Sequence, residues 1–134
     1  MNKKKILIFG LGYVGLPLYL ILQSKNLDVI GYDIDDEKIN LLKKKKFIFN
    51  EKSLSILYHK LIKNKKFRVV NEFVNSDIYI ICVPTPVKKN NKFDNKYIKK
   101  CFNLIIKNLK NNDLIIIEST CEPLTTENLY SQIK

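Results

Sequence analysis

The chain has 134 residues, with 24 Lys plus Arg against 13 Asp plus Glu and a formal net charge of +11. That length makes one ordinary domain able to bury roughly two thirds of its extended surface. With 46% hydrophobic residues, four Gly and four Pro, the composition excludes a disordered, collagen-like or disulfide-stapled chain. Three cysteines without a CxxC pair and a single histidine, His59, build no zinc framework, so no metal site is expected.

Apolar runs alternate with helical patterns along the whole chain, the signature of βαβ units and a parallel sheet. Lys5 to Phe9 reads as a first strand, continuously apolar and therefore buried on both faces. Val14 to Gln23 reads as a well-covered helix, Asp28 to Asp33 as a second strand, and Asp36 to Leu42 as a short helix with Asp35 or Asp36 as N-cap. Ser53 to Ile62 places Leu54, Leu57, Leu61 and Ile62 on one helical face. Phe67 to Val70 is a short third strand, and Ile78 to Val83 a fourth that Pro84 and Pro86 stop. Asn95 to Leu109 is an amphipathic helix, Leu114 to Glu118 a fifth buried strand, and Thr125 to Ile133 the opening of another helix. The expected fold is a Rossmann-like doubly wound α/β sheet of about five strands, one unit over residues 1–134. It is expected to be incomplete at its C-terminus, where such a sheet usually adds a further strand.

The basic charge invites a nucleic-acid reading, but Arg68 is the only arginine. Base readout and bidentate phosphate contacts favour the planar guanidinium, whereas lysine also serves as ordinary solvated surface. The lysines fall in scattered clusters (Lys43 to Lys46; Lys63, Lys65 and Lys66; Lys88 and Lys89; Lys99 and Lys100) that map to loops and helix flanks. No nucleic-acid partner is expected. No apolar run approaches the roughly 20 residues of a membrane span, and Gly10, Gly12 and Gly15 interrupt the stretch after Lys3 to Lys5 that superficially suggests a signal peptide. The expectation is a cytoplasmic protein with free thiols and no membrane contact.

Gly10-Leu-Gly12-Tyr-Val-Gly15 follows the first strand directly and opens the first helix, the context in which a GxGxxG pattern carries meaning. Gly10 permits the tight turn, Gly12 lets a pyrophosphate approach the backbone, and Gly15 allows close packing of helix on sheet. The helix N-terminus then offers N–H groups and partial positive charge to phosphates. Asp33 closes the second strand about 20 residues on, where a dinucleotide fold places its ribose-binding acid. A carboxylate there accepts bonds from ribose hydroxyls and repels a 2′-phosphate, which favours NAD over NADP.

Four ordered segments carry a family resemblance: Gly10-Leu-Gly-Tyr-Val-Gly-Leu-Pro17, Tyr32-Asp33-Ile-Asp-Asp-Glu-Lys38, Val83-Pro84-Thr85-Pro86, and Glu118-Ser119-Thr120 with Pro123 and Thr125-Thr126-Glu127. Together they resemble the N-terminal domain of the UDP-glucose/GDP-mannose dehydrogenase family, the NAD-dependent nucleotide-sugar 6-dehydrogenases. The resemblance implies that Gly10, Gly12, Tyr13, Val14, Gly15, Asp33, Lys38, Thr85 and Thr120 hold NAD. Asp33 and Lys38 would contact the adenosine ribose, and Glu118 and Thr120 would line the reaction end, where Thr120 positions water and substrate. It further implies oxidation of a sugar C6 alcohol to a carboxylate with two NAD, making precursors for polysaccharides or cell-surface sugars. The EST wording is closer to the UDP-N-acetylhexosamine branch than to the UDP-glucose branch. A nucleotide-sugar partner is expected only together with the family's further domains, and a homodimer only of the full-length enzyme.

Ser119 and Thr120 have a second reading as caps of the following turn. In the family, the catalytic cysteine that forms the thiohemiacetal and thioester lies in a distal motif, so Cys121 is expected to be structural, as are Cys82, Cys101 and His59. Leu124 stands where the family segment usually has Gly, which predicts a strained turn if that position needs positive φ. Lys43 to Lys46 likewise replace a loop that commonly carries Gly. Without the central helical and nucleotide-sugar domains, the isolated chain is expected not to oxidise a sugar. The alternatives are a stand-alone nucleotide-binding or regulatory module and a basic nucleic-acid-binding protein, whose affinity would fall steeply with salt.

Overall fold

A computed structural model describes residues 3–63, 67–89 and 93–133. Five strands, β1 (Lys5–Phe9), β2 (Asp28–Tyr32), β3 (Val69–Val70), β4 (Ile78–Ile81) and β5 (Leu114–Ile117), form one sheet in the order β3-β2-β1-β4-β5. All four pairings are parallel, with β1 registered against both β2 and β4. The chain thus leaves β1 in one direction to make β2 and β3, and returns past it to make β4 and β5. The strand order reverses between β1 and β4, the switch point at which open α/β sheets bind ligands.

Alternation along the strands builds two cores. Ile6, Ile8, Val29, Val69 and Ile80 face one side of the sheet, while Leu7, Phe9, Ile30, Tyr32, Tyr79 and Ile81 face the other. Helices α1 (Gly15–Ser24), α2 (Asp36–Lys43) and α3 (Lys52–Leu61) cover the first face with Leu16, Tyr19, Leu20, Ile39, Leu42, Tyr58 and Leu61. Helices α4 (Lys96–Ile106) and α5 (Thr125–Tyr130) cover the second with Ile98, Phe102, Ile105 and Leu129. Two tyrosines in the first core keep their hydroxyls satisfied: Tyr19 accepts from the Arg68 N–H at 2.8 Å, and Tyr58 donates to the Leu42 carbonyl. A side chain at Gly31 would meet Leu11 at 2.8 Å, so the bare glycine of β2 seats the leucine that follows the first turn.

The element order is as the sequence predicts, and the differences lie at the ends. The third strand is confined to Val69 and Val70, because the Arg68 N–H is committed to the Tyr19 hydroxyl rather than to a ladder. The fourth ends at Ile81 rather than Val83: β1 turns away at Gly10, whose N–H goes to the Tyr32 carbonyl, so β4 loses its neighbour after the bond from Cys82 N–H to the Phe9 carbonyl. Helix α3 begins at Lys52 because Glu51 caps it, accepting from the Ser53 N–H and hydroxyl. Its face is completed by Tyr58, fully buried, which the leucine spacing alone omits. Asp35 is the α2 N-cap, accepting from the Lys38 N–H at 3.0 Å. The expected Thr125 to Ile133 helix stops at Tyr130. No helix among the described residues is long and apolar enough to cross a membrane. Lys65 and Lys66 lie outside the described residues; Lys99 and Lys100 sit on the exposed side of α4 rather than at its flank.

Candidate functional site

The turn after β1 is closed by backbone bonds. Gly10 adopts φ +88°, and a side chain there would stand 2.8 Å from the Cys82 carbonyl oxygen. Gly15 is buried beneath the turn, in contact with Gly10 and with the Cys82 side chain. Gly12 differs: a side-chain carbon built there meets nothing within 4 Å. Val14 is the α1 N-cap and offers no side-chain oxygen, and no acidic residue occupies the first turn. The positive end of a ten-residue helix is therefore left to an outside anion.

Asp33 stands just past the end of β2, 6% exposed. Its Oδ2 accepts from the Leu11 N–H at 2.8 Å and from Lys38 Nζ at 2.7 Å, and its Oδ1 accepts from the Asp35 N–H at 3.0 Å. The carboxylate is thus tied to the glycine turn on one side and to α2 on the other. Lys38 reaches it because Asp35 caps α2 and sets the lysine one turn along, a half-buried ion pair.

Two loops form the opposite end. Val83-Pro84-Thr85-Pro86 leaves β4, with both prolines fixing φ and restricting the residues before them. Glu118-Ser119-Thr120 leaves β5, held by bonds from the Glu118 and Ser119 N–H groups to the Ile81 carbonyl at 3.0 and 3.1 Å. The Ser119 hydroxyl donates to the Val83 carbonyl at 2.7 Å, with a longer contact of 3.2 Å to Ile81. It therefore joins the two loops instead of capping the turn that follows.

These pieces enclose a cleft of about 670 Å3 over the carboxyl ends of the central strands. Gly10, Gly12, Tyr13, Val14, Asp33 and Lys38 line one part of it, and Thr85, Glu118 and Thr120 the other. From β2 to β5 the sheet takes three strand steps, so the two ends are separated by roughly 14 Å. Gly15 supports the turn from below and is not part of the wall. Sequence reasoning missed one wall, formed by Tyr97, Lys100, Cys101 and Leu104 of α4. Their spacing is a helical stripe beside the buried one, a signal legible only once α4 is known to flank the switch point. Cys82 and Cys101 also face the cleft, and burial pushes their thiols up to about 11 and about 12, with Glu118 adding to the first and Asp33 to the second. His59 is an exposed α3 residue whose Nδ1 lies 2.7 Å from the Ser55 carbonyl, outside the cleft with Cys121 and Leu124. Leu124 has φ 66°, the left-handed conformation its place in the glycine-bearing segment predicts.

Glycine turn, buried acid and paired loops meet at the switch point, and residues 4–134 match the UDP-glucose/GDP-mannose dehydrogenase family, NAD binding domain. The chain belongs to the UDP-glucose/GDP-mannose dehydrogenase family. It is 42% identical over 132 residues to a UDP-N-acetyl-D-mannosamine dehydrogenase of Methanococcus aeolicus, covering 96% of this chain and 30% of the relative. It is 32% identical over 126 residues to an NDP-N-acetyl-D-galactosaminuronic acid dehydrogenase of Ralstonia nicotianae, covering 94% of this chain and 30% of that protein. Among solved structures, a UDP-N-acetyl-mannosamine dehydrogenase from Staphylococcus aureus superposes with a TM-score of 0.90 at 30% identity, over 96% of this chain and 32% of the other. The chain therefore spans about 30% of the length of the relatives it matches. The family places NAD as the cofactor of this domain.

Proposed function

We propose that this chain is the cofactor-holding part of a UDP-N-acetylhexosamine 6-dehydrogenase, with NAD lying along the cleft from Asp33 to Thr120. The open space at Gly12 is the observation that carries the reading. Gly10 and Gly15 are explained by contacts inside the fold, whereas at Gly12 the missing side chain leaves room that the folded chain does not itself use. A pyrophosphate seated there meets the backbone of Tyr13 and Val14 and the positive end of α1. Asp33 then faces the adenosine ribose, with Lys38 keeping the carboxylate oriented, and a carboxylate at that place disfavours a 2′-phosphate.

NAD supplies the hydride acceptor when bound. The residues of this chain contribute position and charge around it. Thr85 sits on a loop stiffened by two prolines, so its hydroxyl is held at small entropic cost against the nicotinamide half. Thr120 orients water and the substrate alcohol, and Glu118 lines the same end. The UDP-N-acetylhexosamine assignment rests on the EST segment and on relatives named as UDP-N-acetyl-D-mannosamine dehydrogenases.

Burial moves the Cys82 and Cys101 thiols further from the thiolate that covalent catalysis uses. The isolated chain is expected to form no NADH from NAD and UDP-N-acetyl-D-mannosamine or UDP-glucose. A chimera joining residues 1–134 to the remaining length of the Methanococcus aeolicus relative is expected to form it with UDP-N-acetyl-D-mannosamine. A folded chimera that binds NAD yet reduces none would contradict the assignment.

A further inference from the structure

The Ser119 hydroxyl bridges two loops that the sequence separates by more than thirty residues, donating to the Val83 carbonyl at 2.7 Å. Val83 precedes Pro84, and the Pro-Thr-Pro segment behind it has few free torsions. A bond at the Val83 carbonyl therefore fixes the Val83–Pro84 peptide plane, and the Pro84 ring carries that orientation on towards Thr85. Ser119 is also the chain neighbour of Thr120, and its own N–H is anchored on the Ile81 carbonyl at 3.1 Å. Beside the backbone bonds to Ile81, the half-buried Ser119 hydroxyl is thus the side-chain tie between the loop of Thr85 and that of Thr120.

We infer that Ser119 is a positioning residue for the nicotinamide half of the cofactor, acting through Thr85 and Thr120 and not on the adenosine half. The inference rests on the cofactor placement proposed above. It follows from where the bond lies: Asp33 and Lys38 belong to the end of β2, on the far side of β1, and share no hydrogen bond with the Ser119 bridge. Loosening the bridge leaves their geometry intact and blurs only the end that carries the two threonines.

The test compares NADH with ADP-ribose, which lacks the nicotinamide, binding to the 134-residue chain. Ser119→Ala is expected to weaken NADH roughly fivefold, the effect of one neutral hydrogen bond, with ADP-ribose affinity unchanged. Ser119→Thr, which keeps the hydroxyl, is expected to restore NADH binding. Ser119→Cys keeps the volume with a poor donor; it is expected to weaken NADH as the alanine variant does, and it carries the test where the alanine variant does not fold. Equal weakening of both ligands, unchanged NADH affinity in the alanine and cysteine variants, or no rescue by threonine would each overturn the inference. If the unmodified chain binds ADP-ribose but gains nothing from the nicotinamide, Ser119 has nothing to position and the inference fails while the adenosine site stands. If it binds neither ligand, the cofactor placement fails first.

Discussion

A side-chain carbon added at Gly15 would stand 1.7 Å from the carbonyl oxygen of Gly10. Both partners are backbone, so neither can swing aside, and the first turn of α1 would have to lift off the sheet. Gly15→Ala is therefore expected to abolish the cooperative thermal transition. Gly12→Ala is expected to fold as the parent does, since its added carbon touches nothing, while losing NADH affinity by tenfold or more, an order-of-magnitude figure for a blocked close approach to phosphate. Circular dichroism melts and a fluorescence titration on the two variants separate the structural glycine from the ligand-facing one. An intact titration for Gly12→Ala would remove the principal support for the pyrophosphate position.

Leu124 is held at φ 66° and is largely exposed, so it carries left-handed strain without a compensating core contact. Leu124→Gly is expected to stabilise the domain by about 1 kcal/mol, the relief of αL strain less the extra chain entropy of glycine. The transition should move up by roughly 3 to 5 °C. A lower midpoint would mean that the leucine makes a stabilising contact in solution.

Burial also sets an alkaline limit on stability. The Cys82 and Cys101 thiols rise from 9.0 to about 11 and about 12, and the Tyr58 hydroxyl from 10.0 to about 12, in each case chiefly by desolvation. Between the unfolded and folded pKa values the native state holds more protons, so stability falls as pH rises. Denaturant midpoints are expected to be insensitive to these groups below about pH 9 and to drop from there toward pH 12. A midpoint that holds constant through pH 11 would contradict the burial of these groups.

The same desolvation keeps the cleft thiols slow toward alkylating reagents. At pH 8, Cys82 and Cys101 are expected to react with iodoacetamide far more slowly than Cys121, which is only half-buried. Peptide mass spectrometry after timed labelling reads this directly, and preferential labelling of Cys101 would show that α4 opens over the cleft.

Much of the fold was legible because its signals are local. Glycine spacing and strand-length apolar runs mark β1, α1, β2 and the body of β4, and the aspartates at 35 and 36 announce the start of α2. What the sequence withheld depends on partners distant along the chain. The Arg68 N–H leaves the third strand for a tyrosine hydroxyl on α1, and Tyr58 buries itself under α2 through the Leu42 carbonyl. The α4 wall of the cleft was likewise invisible, since nothing in Tyr97, Lys100, Cys101 and Leu104 points to a ligand until the strand order is known. Ser119 shows the limit most clearly: as a sequence position it was equally a cap or a site residue, and its hydroxyl instead bridges two loops.

Asp33 is expected to govern NAD binding by this chain. The most direct measurement is a fluorescence titration of the purified chain with NADH, beside NADPH and beside Asp33→Ala. Saturable NADH binding is expected, with weaker binding of NADPH because the buried carboxylate meets its 2′-phosphate, and a large loss in Asp33→Ala, which removes both the ribose partner and the tie to the Leu11 N–H. Equal affinity for the two nucleotides, or NADH binding undiminished in a folded Asp33→Ala chain, would contradict it.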